Sequence, residues 1–206
     1  MWFPNISEAS EDGILAIGGD LSAERLMLAY QSGIFPWYED DQPIIWWSPD
    51  PRMILFPEKF KISKSFRKIL RETTFTVTFN KDFPAVIKNC ATVERNGQRG
   101  TWITSAMQEA YILLHKKNAA ISVEVWEDDE LVGGLYGIDL RQQKVFCGES
   151  MFSKKSEASK IAFYHLSQKL KNEGYKIIDC QIHNNHLESL GAEEIPRLEF
   201  LRFLGN

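Results

Sequence analysis

Across residues 156–172, Ala158, Ile161, Ala162, His165, Leu166 and Leu170 recur at three- and four-residue spacing, which predicts a helix that Gly174 terminates. Before it, Lys144 to Cys147 reads as a strand, followed by the polar run Gly148-Glu149-Ser150-Met151-Phe152-Ser153, where that strand is expected to give out. After it, Ile177-Ile178 reads as a second strand ending in Asp179-Cys180-Gln181. The unit is strand, polar turn, helix, strand, and such a crossover implies two parallel neighbours in one sheet. Asp179 and Gln181 should then share a strand face, with Cys180 on the other, and flank one cleft with Glu149. Strand ends are where α/β proteins place their chemistry, although a hydrogen-bonded network that only stabilises the crossover explains the same residues.

Upstream, Ile121 to Trp126 alternates, Asp128-Asp129 turns, and Leu131 to Ile138 continues a meander into the Lys144 strand. Gly133-Gly134-Leu135-Tyr136-Gly137 lies inside a strand and opens no helix, so it reads as close backbone approach or a bulge, not a nucleotide cradle. Ser105 to Lys117 reads as a helix, with Ser105 and Gln108 at capping-box spacing and Met107, Ala110, Tyr111 and Leu114 as its apolar stripe. Phe75 to Phe79 alternates like a strand, residues 96–100 read as a flexible connection, and a short helix from Asn185 to Leu190 precedes an apolar end. Antiparallel strands followed by one crossover is the order of an α+β, N-acyltransferase-like (GNAT-type) fold, a mixed sheet with a crossover helix. Residues 74–206 are assigned to it, and residues 1–73 to a small N-terminal domain.

That N-terminal stretch runs from Gly18-Gly19-Asp20-Leu21-Ser22 into a helix, Ala23 to Gln31, which Gly33 ends. Trp46-Trp47-Ser48-Pro49-Asp50-Pro51-Arg52 then forms a rigid aromatic wall, suited either to lining a core or to stacking against bases. Further on, Lys64, Arg67, Lys68 and Arg71 occupy one side of a helix from about Ser63, with Phe66, Ile69 and Leu70 on the other. A solvated face and a phosphate-binding stripe both fit this pattern.

Composition changes the picture little. A chain of 206 residues with 44% hydrophobic content, net charge −4 and pI near 5.7 can bury a sizeable core and has no overall attraction to nucleic acid, so phosphate binding would be local. No apolar run reaches membrane-span length and the start lacks a secretory signal, so a cytoplasmic protein is expected. Cys90, Cys147 and Cys180 stand scattered in apolar settings, as buried thiols do. Cys180, His183 and His186 have a ligand-like spacing but cross a strand end and a turn with no obvious fourth ligand, so no metal is expected. The turn Met151 to Ser156 has Lys154 and Lys155 but no glycine to close backbone amides around a pyrophosphate, which disfavours coenzyme A; no cofactor is expected.

Taken in order, Gly18 to Ser22, Gly33-Ile34-Phe35-Pro36-Trp37, Trp46 to Arg52, Gly100-Thr101-Trp102-Ile103-Thr104, Gly148 to Ser153 and Asp179-Cys180-Gln181 resemble the bacterial leucyl/phenylalanyl-tRNA protein transferases. The resemblance implies transfer of Leu or Phe, and by extension Met, from aminoacyl-tRNA to proteins with N-terminal Arg or Lys, marking them for degradation. It implies an aminoacyl-adenosine site at Trp37 and Trp102, a catalytic cluster of Glu149, Asp179 and Gln181, and a tRNA-binding helix carrying Lys64, Arg67, Lys68 and Arg71. Ser150, Met151, Phe152 and Leu166 are expected to line the donor pocket. Glu72 interrupts the basic run where relatives can carry another base, and Leu166 stands where a phenylalanine can occur. A coenzyme A-dependent N-acyltransferase and a non-catalytic module that binds protein N-termini are the alternatives.

Overall fold

A computed structural model of the chain describes residues 2–93 and 102–205. The expected connection at 96–100, and Gly100 and Thr101 of the tryptophan motif, lie outside the described residues.

The N-terminal part contains β1 (Ile14–Ile17), α1 (Ala23–Gln31), β2 (Phe35–Pro36) and β3 (Ile45–Trp47), its three strands forming an antiparallel sheet in the order β1-β3-β2. Ser22 starts α1 by accepting a hydrogen bond from the Arg25 backbone N–H. The elements that follow are β4 (Arg52–Leu55), α2 (Lys64–Glu72), β5 (Thr76–Phe79), α3 (Phe83–Thr92), α4 (Ser105–Lys116), β6 (Ala120–Glu127), β7 (Glu130–Leu140) and β8 (Val145–Ser153). The chain then runs through α5 (Ala158–Asn172), β9 (Ile177–Gln181), α6 (Asn185–Ser189), β10 (Glu193–Ile195) and α7 (Arg197–Leu204). The apolar end of the sequence thus folds as a strand and a helix.

Seven strands form one sheet in the order β10-β4-β9-β8-β7-β6-β5, antiparallel throughout except for β8 and β9, which are parallel across the α5 crossover. This is the N-acyltransferase-like α+β arrangement expected from the element order. β4 and Phe66 of α2 precede the expected boundary at 73/74, yet β4 pairs with β9, and the buried Phe66 meets the Tyr164 ring of α5 at 6.1 Å.

Neighbouring residues of β8 and β9 enter different apolar clusters, as a period of two requires. Val145, Cys147 and Ile177 join one built on α1, α3 and α4, whereas Phe146 and Ile178 join another under α5. Two local expectations need correction. Thr104, not Ser105, caps α4, its hydroxyl accepting from the Met107 N–H. And β8 does not end at Cys147 but runs on to Ser153, so the polar run is strand rather than turn.

The glycines of β7 mark close approach. A Cβ on Gly137 would fall 2.2 Å from the Cys147 carbonyl oxygen and 2.5 Å from the Phe146 ring. Gly137→Ala is therefore expected to lower stability by roughly 1–3 kcal/mol, read as a lower urea midpoint at unchanged slope; an unchanged midpoint would show slack in the β7/β8 ladder.

Candidate active site

The parallel pairing of β8 and β9 covers only Val145/Ile177, Phe146/Ile178 and Cys147/Asp179. Beyond it each strand departs from regular geometry. In β8, Tyr136 of β7 faces Ser150 while Gly137 faces Gly148, which leaves Glu149 as the extra residue of a bulge. In β9, the last residue, Gln181, takes φ +67, a left-handed value that costs a non-glycine residue about 1–3 kcal/mol. A cavity of about 580 Å³ opens where the pairing stops, with Glu149, Ser150, Met151, Leu166 and Gln181 in its wall beside Trp37 and Trp102.

The bulge also reverses the alternation of β8. Cys147 packs in the α1/α3/α4 cluster, but after the extra residue it is Phe152 that joins this cluster and Met151 that turns toward α5 and the cavity. Phe152 therefore packs in that cluster and does not line the pocket as expected. Phe146, Phe163, Ile178 and Cys180 complete the apolar end beside Leu166.

Glu149 holds the centre of a hydrogen-bonded set. Its Oε1 accepts from Gln181 Nε2 at 2.8 Å and its Oε2 from the Tyr111 hydroxyl at 3.0 Å, and Tyr111 is in turn paired with the Tyr30 hydroxyl. Burial pushes the Glu149 carboxyl up to about 7, while the neighbouring Tyr30 and Tyr111 hydroxyls pull it down. A carboxyl held there can exchange a proton near neutral pH.

The expected faces need correction: Cys180, expected on the opposite face, lines the cavity together with Gln181, whose left-handed backbone breaks the alternation, whereas Asp179 has no exposure and does not reach it. Arg52 Nε donates to its Oδ1 at 2.8 Å and Arg52 Nη2 to its Oδ2 at 2.7 Å, a bidentate pair, while the Gln181 backbone N–H adds a third bond to Oδ1 at 2.9 Å. The Arg52 guanidinium is itself enclosed, 4.8 Å from the Phe35 ring and 4.6 Å from Phe200. This geometry fits Asp179 for holding Gln181 and not for taking a proton from a substrate, the other half of its expected role.

Trp37 and Trp102 line this cavity and a neighbouring one of about 690 Å³ bordered by residues 39–42. Trp47 steadies the wall, its Nε1 donating to the Trp37 carbonyl at 2.6 Å. Lys64, Arg67, Lys68 and Arg71 are exposed on α2, outside the cavity, and Lys68 lies 3.9 Å from Glu72. Among the described residues there is no group of three His, Cys, Asp or Glu placed to hold a metal ion, and no helix long and apolar enough to cross a membrane.

Sequence reasoning missed Arg52, Tyr30 and Tyr111. A tyrosine in an apolar helix stripe carries a hydroxyl that must find a partner when buried, so Tyr111 was the one with a usable signal.

Residues 54–205 match the model of a family described as leucyl/phenylalanyl-tRNA protein transferase, and residues 19–50 that of the family's N-terminal domain. The chain belongs to this family. Leucyl/phenylalanyl-tRNA protein transferases from Christiangramia forsetii and Flavobacterium johnsoniae are each 61% identical to it, over 98% and 99% of this chain and 95% of each relative. Among solved structures, the chain is similar to L-PGS from Bacillus licheniformis with a TM-score of 0.44 at 15% identity, covering 79% of this chain and 51% of that one.

Proposed function

We propose that the cavity at the β8/β9 opening receives the aminoacyl end of Leu-tRNA or Phe-tRNA, and that Glu149 and Gln181 present to it the α-amine of a protein with N-terminal Arg or Lys. Membership of the leucyl/phenylalanyl-tRNA protein transferase family makes the chain an aminoacyltransferase that moves Leu or Phe from tRNA to a protein N-terminus. The single observation that carries the residue assignment is the Gln181–Glu149 hydrogen bond in the wall of a cavity with an apolar end.

In this reading the amine lone pair attacks the ester carbonyl carbon and the bond to the terminal ribose oxygen breaks. The amine proton passes to Glu149 and is returned to the departing ribose hydroxyl, so neither charge nor atoms are left over. An α-amine titrates near ~7.7–8.0, so about a tenth or more is already neutral at pH 7 and deprotonation costs only about 1 kcal/mol. Orientation of the two reactants can supply roughly 7–11 kcal/mol. Positioning therefore dominates, and a carboxyl near 7 is base enough.

The apolar end suits Leu, Phe or Met side chains, Met151 adding a flexible thioether to its wall. The terminal adenosine stacks on Trp37 or Trp102, and the basic face of α2 takes tRNA phosphates. Such a reaction places the protein in the cytoplasm, where aminoacyl-tRNA is found. Because β4 belongs to the large sheet, we place the end of the small N-terminal unit near residue 50.

The reading is tested with radiolabelled Leu-tRNA and Phe-tRNA and proteins that begin with Arg, Lys or Gly. Label on the Arg and Lys acceptors and none on Gly is expected; equal labelling of all three would overturn the acceptor class. Trp102→Ala is expected to raise donor KM by roughly tenfold, since stacking on an aromatic side chain contributes about 1–3 kcal/mol per base. An unchanged donor KM would remove the adenosine from Trp102.

A further inference from the structure

Two phenols that no substrate can touch converge on the carboxylate of the reaction site. Tyr30 of α1 and Tyr111 of α4, 1% and 0% exposed, do not line the cavity, yet their hydroxyls pair with each other, and Tyr111 donates onward to Glu149 Oε2. Tyr111 has one hydroxyl proton and gives it to Glu149, so Tyr30 must donate to the Tyr111 oxygen. Burial raises both phenols well above their ordinary range, and they remain neutral donors at any working pH. Every donor of the chain points toward the carboxylate, whose other oxygen takes Gln181 Nε2.

We infer that Tyr30 and Tyr111 are positioning residues of the transfer reaction, holding Glu149 at the β8 bulge in line with Gln181 and keeping it ionisable inside the protein. The inference rests on the reading of Glu149 as the group that takes the amine proton. The bulge supplies the reason for such a device. As the extra residue opposite β7, Glu149 has no regular ladder position to fix its side chain, so its orientation depends on the groups it meets. It also makes the small N-terminal unit part of the reaction site, because α1 contributes the outer hydroxyl.

The groups facing Glu149 are Tyr30 from α1, Tyr111 from α4, Cys147 from its own strand, and Asp179 and Gln181 from β9. Arg52 of β4 stands behind Asp179, and Tyr136 of β7 packs edge-on against Tyr111 at 5.6 Å. Of these, Asp179 opposes ionisation of Glu149, and the two phenols and Gln181 favour it. Removing a hydroxyl therefore moves the carboxyl upward.

The test follows the carboxyl directly, by carbon-13 NMR of glutamate-labelled protein, together with kcat and donor KM for Leu transfer to an N-terminal Arg protein. The Glu149 resonance is identified by its absence in Glu149→Gln. It is expected to titrate near 7 in the parent protein, as burial sets it. In Tyr111→Phe it should move up by roughly one pH unit, the ionised fraction at pH 7 and kcat then falling about fivefold, with donor KM unchanged. Tyr30→Phe, acting from a different helix, should shift it in the same direction. An unshifted Glu149 titration in both phenylalanine variants, even with lowered melting temperatures, would make the phenols structural and overturn the inference while leaving the Glu149 reading intact. Wild-type transfer by Glu149→Gln would instead overturn that reading, and the positioning role with it, whatever the tyrosine variants do to the titration.

Discussion

Replacing Arg52 by methionine is expected to lower the unfolding free energy by about 3–5 kcal/mol, the loss that follows when one partner of a buried ion pair is removed. Asp179 and Arg52 are each 1% exposed at the side chain. Without the guanidinium, the carboxylate keeps the Gln181 N–H but loses both charged donors in a site closed to water. Methionine fills much of the space between the Phe35 and Phe200 rings, so the experiment isolates charge more than volume. A second variant, Arg52→Met with Asp179→Leu, should regain a large part of the loss, because it removes the stranded charge. It should not regain all of it, since the Gln181 N–H is left without an acceptor, at about 1–3 kcal/mol. Urea unfolding of both proteins decides the matter. Equal stability of the single and double variants would mean that packing around Arg52, and not the stranded carboxylate, produced the loss.

Gln181→Ala is expected to reduce kcat on the order of 10²-fold, the scale of misplacing reacting groups by about 1 Å, while donor KM stays within about twofold. The left-handed backbone at Gln181 is tied by its N–H bond to Asp179, and its side chain lies against Glu149 in the cavity wall. With Nε2 given to Glu149, the carboxamide oxygen is what Gln181 has left to offer an incoming ammonium. Alanine deletes both contacts without changing the apolar end of the cavity proposed for the donor side chain. Steady-state kinetics with Leu-tRNA and an N-terminal Arg protein separate the possibilities. A raised acceptor KM at unchanged kcat would make Gln181 a binding residue only.

The parts legible in the sequence were those governed by near neighbours. The helix Ala23–Gln31 was readable to the residue because Ser22 caps it and Gly33 follows it. The α5 stripe was readable because residues three and four apart meet on one helix face. The crossover between β8 and β9 correctly brought Glu149 and Gln181 to one cavity. Glu149 also shows where this reading stops. As an extra residue it reverses the alternation of β8, so counting by twos cannot tell that Met151 faces the cavity and Phe152 the core. Whether β7 will leave a residue of β8 unpaired is a property of both strands, and here Gly137 admits the Cys147 carbonyl so closely that no side chain could stand between them.

By itself, then, the amino-acid order determined the family, the α+β element order and the polar residues gathered at the crossover, because periodicity, caps and long motifs are written in residues close along the chain. Only the tertiary structure decided what surrounds those polar residues. Asp179 meets Arg52 from 127 residues away, and Tyr30 meets Tyr111 from 81. A buried carboxylate is neutralised, oriented or left ready to take a proton according to which groups are withdrawn from water with it. Packing chose Arg52 for Asp179 and two phenols for Glu149, and so separated two acidic residues of similar appearance into one that braces the site and one that can take a proton in it.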